Sequence, residues 1–193
     1  MTVPNTTTNP PPSALQTLFT THAPSKTSPH ARDLHNLALQ IAHNLRYQHL
    51  WTSVRIHTSS SHPRPLVSGI PPTRLYIHPD EQIELLQKQK DAGKSGMPHL
   101  APQREWVLPS HLKEKWTLRR FGDAFDSVGS VPGEGEGEGL FEEEGEGGKE
   151  QELAEPNKWR TDMPKRMLLA TLDDDSTVVY YIVHDGIVKP RQN

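Results

Sequence analysis

Lys165-Arg166-Met167-Leu168-Leu169-Ala170-Thr171-Leu172, then Asp173-Asp174-Asp175, then Ser176-Thr177-Val178-Val179-Tyr180-Tyr181-Ile182-Val183 is the stretch whose reading decides the fold. Two apolar runs of strand length flank a short acidic turn, and the second run is dense in the Val, Ile and Tyr side chains that suit a pleated, packed surface. The pattern predicts a β-hairpin. Successive strand residues point to opposite faces, so Val179, Tyr181 and Val183 share one face and Val178, Tyr180 and Ile182 the other. Neither face has the polar alternation of a solvated sheet, and both must be covered. Helices of the chain can cover one. The rest of the sequence is poor in apolar material, so a partner is expected against the other, and the hairpin is both core and candidate interface.

Outward from the hairpin, hydrophobic residues make up only 33% of the 193, against 18 prolines and 13 glycines, so folded and unfolded segments should alternate. Residues 1–28 are rich in Thr, Pro, Ser and Asn and are expected to form a disordered tail, with Leu15, Leu18 and Phe19 as a short docking turn in the alternative. Ser28-Pro29 is a helix start, and Leu34, Leu37, Ala38, Ile41 and Leu45 then recur at helical spacing. Residues 50–57 alternate as a strand, residues 66–68 suggest a short bridge, and residues 74–78 suggest another strand with Leu75 and Ile77 inward. Pro79 opens a helix with Asp80, Glu81 and Glu84 early and Lys88 and Lys90 late, as the helix dipole favours, stopping at Gly93. Residues 105–108 read as a strand. Ser110 and Thr117 are expected to cap a helix pair burying Leu112, Trp116, Leu118, Phe121 and Phe125. Residues 132–152 alternate Gly and Glu around Leu140 and Phe141 and cannot offset the ~1–2 kcal/mol per residue of backbone ordering, so a disordered acidic insertion over 130–157 is expected inside a domain spanning 29–193.

The string from Lys165 to Tyr181, with Asp185-Gly186 and Lys189-Pro190 after it, resembles the C-terminus of tRNA-splicing endonuclease subunits. The runs from Leu50 to His57, from Pro63 to Pro72 and from Glu105 to Pro109 are similar to the fungal form of the family's small, non-catalytic, fifteen-kilodalton-type subunit. Residues 30–128 and 158–193 carry the likeness. It implies an α/β fold of the tRNA-intron endonuclease C-terminal-domain kind, an α+β mixed twisted sheet flanked by helices. It also implies a structural, non-enzymatic role: pairing with a catalytic subunit in a heterotetramer that excises introns from pre-tRNA, in the nucleus or on the cytosolic face of mitochondria. Val178, Val179, Tyr180, Tyr181, Ile182 and Val183 would be the partner-interface strand, and Asp173, Asp174 and Asp175 an acidic interface loop received by a basic pocket. Ser176 stands where the family often has Gly after the acids. An isolated chain with an open apolar strand edge is expected to homodimerise.

Catalytic members of that family use a Tyr, a His and a Lys without metal, and the cleavage needs a base at the 2′-OH, an acid at the leaving oxygen and a cation at the developing phosphorane. Lys165 falls near the position of the catalytic Lys, but the segment that would bring the other two contains His99 without a tyrosine. No catalytic residue is assigned. Lys113, Lys115, Arg119, Arg120, Lys165 and Arg166 form basic clusters that read as RNA-facing cations or as solvated helix faces.

No cofactor or metal is expected: the eleven histidines lack helical zinc spacing, and Gly93-Lys94-Ser95 has no upstream strand or glycine to make it a phosphate loop. The absence of cysteine fits a reducing, intracellular setting, and no apolar run reaches the ~18 residues of a membrane span. A net charge of -3 argues against a globally basic nucleic-acid binder. Two rivals stay open: a stand-alone RNA nuclease using Lys165, and an adaptor whose acidic insertion recruits basic partners.

Overall fold

The computed structural model describes residues 10–142 and 157–186. Eleven elements follow in order: α1 (Ala14–Thr21), α2 (Arg32–Tyr47), β1 (Thr52–His57), β2 (Leu66–Ile70), α3 (Pro79–Asp91), β3 (Glu105–His111), α4 (Leu118–Asp126), β4 (Glu138–Gly139), α5 (Lys158–Thr161), β5 (Arg166–Leu172) and β6 (Val178–His184). The strands form one mixed sheet in the order β4-β1-β2-β3-β5-β6. Only β3 and β5 run parallel, with Val107 opposite Leu168; the other pairs are antiparallel. This is the expected α/β architecture of a mixed sheet flanked by helices.

The sheet is covered on both faces. Ala38, Leu39, Ile41, Ala42 and Leu45 of α2 pack on Val54, Ile56, Val67, Val107, Leu168, Ala170 and Leu172. The opposite face gathers Leu66, Trp106, Leu108 and Met167 under Ala124 and Phe125 of α4, with Val128 beside them. Full burial of one such Leu or Ile contributes ~1.5–3 kcal/mol. All five residues of β2 are buried, so the segment read as a short bridge is the sheet's centre.

Several local expectations are corrected. Residues 74–78 are not a strand, because β2 is already paired with β1 on one side and β3 on the other. The Ser28-Pro29 start gives way to Ala31 as N-cap of α2, with no side-chain cap, while Ser28 closes a turn onto the Ser25 carbonyl. Ser110 lies inside β3, so of the two expected caps Thr117 alone starts a helix. Leu112 and Leu118 are exposed rather than buried. Strict alternation fails in β1, where Val54, Ile56 and His57 are all buried, as is Trp51 just before it. A register shift between Thr52 and Arg55, with Ser53 at φ 46, rotates the strand.

Helix α1 falls inside the segment read as a tail. Ser13 and Gln16 form a reciprocal capping box, and Leu18 is buried against α2, with Leu15 and Phe19 packed beside it. The described start of the acidic insertion is also ordered. The Arg55 guanidinium donates to the carbonyls of Gly135, Glu136 and Gly137 at 3.2, 2.8 and 3.0 Å, Leu140 is buried, and β4 pairs with β1. Glu138 meets His22 Nδ1 at 2.6 Å, tying this edge to α1. Residues 143–156 of the insertion lie outside the described residues, as do 1–9 of the tail.

His57 carries a pH signature. Its Nε2 lies 2.8 Å from Ser68 Oγ and its ring centre 4.6 Å from that of Trp106. Burial, then the charges of His62, Arg55 and Arg104, lower its pKa from 6.5 to about 4. The fold therefore favours the neutral imidazole over the proton-binding unfolded one. This contribution is full above pH 6.5 and is lost as pH falls from 6.5 through about 4, with an upper size of ~3 kcal/mol. In urea unfolding at pH 7.0, 5.5 and 4.5, His57→Gln is expected to show a shallower loss of stability with acid than the wild type; parallel curves would remove His57 as the cause.

Candidate functional site

β6 is the last strand of the sheet, hydrogen-bonded to β5 on one side, with Leu172 opposite Val178 and Arg166 opposite His184. Its outer edge faces no other strand among the described residues. The alternation read from the sequence separates its side chains as expected. Val178 and Tyr180 turn toward α2, where the Tyr180 hydroxyl donates to Asn44 Oδ1 at 2.6 Å, and burial raises the phenol's pKa above its ordinary value. On the other face Val183 packs on the α4 cluster, while Val179 and Tyr181 are 45% and 55% exposed. Ile182, on the α2 side, is 38% exposed. This edge carries none of the lysines, prolines or bulges that commonly blunt a strand against pairing. It can accept a further strand through its main chain and an apolar surface through Val179 and Tyr181.

The acidic turn is held from within. Asp173 accepts from the Asp174 amide at 2.7 Å and Asp175 from the Thr177 amide at 2.8 Å, and the Ser176 amide closes the turn onto the Asp173 carbonyl. Ser176 sits at φ 69, the left-handed region that glycine occupies without strain, which explains why Gly suits this position. The Lys113 ammonium donates to Asp174, and His111 Nε2 lies 3.2 Å from the same carboxylate. Lys113 is the first cause of the lowered Asp174 pKa, and the Thr177 amide of the lowered Asp175 pKa.

The six basic residues do not form one surface. Lys113 belongs to the acidic turn. Arg120 reaches Glu114 at 2.5 Å and lies over the Trp116 ring, which also carries Arg64 on it. Lys115 and Arg119 are exposed beside them. Lys165 is half-buried and donates to the Phe125 carbonyl at 2.9 Å, in the last turn of α4. Arg166 is corrected outright as an RNA-facing cation: it is buried, and its guanidinium donates to Glu105 at 2.6 Å.

That pair belongs to an ionic network that sequence reasoning missed. Glu105 meets Arg166 through one oxygen and Arg160 through the other, at 2.9 Å, while Arg74 and Asn157 converge on Glu81 at 3.3 and 3.0 Å. Trp159 stacks on His78 with ring centres 5.0 Å apart. The network fixes the chain on the C-terminal side of the insertion just before it enters β5. Its partners lie far apart in sequence, so charge alone gave no signal of burial.

Fold and edge together define an α/β domain with a mixed, doubly covered sheet whose last strand, β6, presents an apolar outer edge that no other strand meets among the described residues. The family described as Sen15 protein matches residues 40–138 and 150–193, and the chain belongs to that family. A relative from Neurospora crassa, named as a probable tRNA-splicing endonuclease subunit tsp-1, is 44% identical over 161 residues, covering 83% of this chain and 67% of that protein. A second from Schizosaccharomyces pombe, named as a probable tRNA-splicing endonuclease subunit sen15, is 25% identical over 155 residues, covering 78% of each.

Proposed function

We propose that the chain is a non-catalytic, structural subunit of the tRNA-splicing endonuclease and that its work is to hold a catalytic subunit in place through β6. The observation that carries this reading is the open apolar edge of β6 in a member of a family whose relatives bear the name of that endonuclease. Contact with pre-tRNA would then come through the complex, a heterotetramer in the nucleus. Asp173, Asp174 and Asp175 would sit at the rim of the interface, where Lys113 already engages Asp174. Without partners the wild-type chain is expected to pair with itself through the same edge.

The alternative of a nuclease centred on Lys165 is disfavoured by the ammonium's engagement with the α4 carbonyl. No helix among the described residues is long and apolar enough to cross a membrane.

Reconstitution tests the reading. Purified alone, the chain is expected not to cleave pre-tRNA; co-expressed with the other subunits, it should co-purify with them and with cleavage. Lys165→Ala should leave cleavage by the complex within about twofold of wild type, while the lost bond to Phe125 costs roughly 0.5–1.5 kcal/mol in unfolding. Cleavage by the lone chain, abolished by Lys165→Ala, would replace this reading with the nuclease one.

A further inference from the structure

A cavity of about 530 Å³ opens on the α4 side of β1, toward the other end of the sheet from β6. Its walls are His62 of the β1–β2 loop, Ser127 after α4, and Glu136, Gly137 and Glu138 at the ordered start of the acidic insertion. That volume suits a small ligand or a long side chain. Three rings meet at its base: His57 and Trp106 lie 4.6 Å apart between centres, and His62 lies 6.2 Å from each. Gly137 closes the wall at φ 79, where a Cβ would fall 2.8 Å from a ring carbon of His57, so only glycine passes the imidazole this closely. His57, 4% exposed, bonds Ser68 through Nε2 and turns Nδ1 toward Gly137, where no described residue pairs with it.

The polar atoms of the wall are mainly acceptors. Ser127 Oγ gives its one hydrogen to the Ala124 carbonyl at 2.8 Å, so His62 Nδ1, 3.3 Å from that hydroxyl, must carry the proton that joins them. Burial, then the charge of His30, lowers the His62 pKa, against the pull of the Ser127 backbone and the Glu136 carboxylate. The ring is therefore neutral, with a lone pair at Nε2. Glu136 accepts from the Gly133 amide at 3.3 Å through one oxygen, and Glu138 meets His22 at 2.6 Å through one oxygen. Each carboxylate has a second. Arg55 holds this segment by its carbonyls and not by its carboxylates.

A wall of acceptors beside aromatic rings calls for a planar cation rich in donors. A guanidinium presents five N–H donors and no acceptor, stacks on aromatic faces and keeps its charge throughout the cellular pH range. An ammonium supplies the charge without the plane. RNA fits less well, because its phosphates would approach Glu134, Glu136, Glu138 and Glu142 of one segment.

We propose that this cavity receives the arginine side chain of a basic protein segment, its guanidinium held by His62 Nε2 and Glu136 above the rings of His57 and Trp106. The site makes no use of β6, and its failure would leave the function proposed above untouched.

The test is titration of the isotope-labelled full chain with acetyl-Gly-Arg-Gly-amide, whose ends are uncharged, followed at the indole N–H signals of the tryptophans. The Trp106 signal, assigned from its contacts with His57, is expected to shift and saturate with a Kd on the order of 1 mM, while those of Trp116 and Trp159 stay in place. Citrulline in place of the arginine keeps the shape without the charge and should give no saturable shift, and lysine should bind more weakly. Glu136→Gln and His62→Phe should each weaken binding by about tenfold or more. Glu136 is exposed, so its variant probes the site without disturbing the fold. No saturable Trp106 shift with the arginine peptide, binding as tight by the citrulline or lysine peptide, or wild-type affinity in Glu136→Gln would each overturn the proposal. A Trp106 shift with guanosine monophosphate and none with the peptide would overturn it too and give the cavity to RNA.

Discussion

Val179→Asp combined with Tyr181→Asp is expected to strip the chain of its endonuclease partners while leaving its own fold intact. Both side chains stand on the same face of the outermost strand, 45% and 55% exposed, so neither substitution opens a cavity in the described domain. In the free chain the two carboxylates stay in water, and Tm should move by no more than about 3 °C. In a complex that extends the sheet beyond β6 they would be buried beside apolar surface without partners, at a cost of roughly 3–6 kcal/mol, or ~10²–10⁴-fold in affinity. Affinity purification of the tagged chain from its own cells, followed by pre-tRNA cleavage, reads this out. The wild type should bring down an active endonuclease, and the double variant should not. The same variant should leave the purified chain monomeric by sedimentation. If active complex is recovered undiminished with the double variant, the interface lies elsewhere and the role given to β6 fails.

The second large effect concerns Glu105. Its two oxygens serve two buried guanidinium groups, Arg160 at 2.9 Å and Arg166 at 2.6 Å, so Glu105→Ala leaves both without their carboxylate. Breaking a buried pair from one side costs about 3–5 kcal/mol, whereas replacing all members by apolar residues of similar volume is often neutral. For a domain of this size that is a fall in Tm of roughly 6–20 °C. The contrast supplies the control. Glu105→Met with Arg160→Met and Arg166→Met should be markedly more stable than Glu105→Ala alone. A Glu105→Ala protein within about 1 kcal/mol of wild type in urea unfolding would show that water reaches the site and relieves the charge.

The parts of this fold that were legible in the sequence are those whose determinants are local. The hairpin followed from a run of Val, Ile and Tyr around an acidic turn, and the α3 boundaries from Pro79 and Gly93, the latter at φ 69 past the helix end. The apolar stripe of α2 was also visible, although its width was not. His35 and Leu39 are buried as well, because α1 lies across the helix and His22 accepts at its carbonyl from His35. The Ser13-to-Gln16 capping box was readable as a helix start and was passed over in a segment judged by its composition.

Non-local facts were hidden. Residues 74–78 alternate like a strand, but strand order left no free edge beside β2 for them to join. Arg166 read as a surface cation because a sequence displays charge and not burial. The partnership with Glu105, sixty-one positions away, holds it inward. For the candidate interface, the alternation of β6 was legible from its residues, whereas its open edge was an expectation carried by the family resemblance and not by the residues themselves.

The two ends of the sheet are not equivalent. At one end Glu138 and Gly139 lie along Ile56 and Arg55, the Leu140 amide donates to the Val54 carbonyl at 3.1 Å, and Arg55 grips the approaching chain by its carbonyls. The molecule thereby supplies its own stopper at β1, while the outer edge of β6 meets no strand among the described residues. A building block with a valence of one can join a single neighbour by strand addition and cannot propagate into a ribbon. On the proposed role of β6, an assembly grown this way would be finite, its size set by the chain rather than by the supply of subunits.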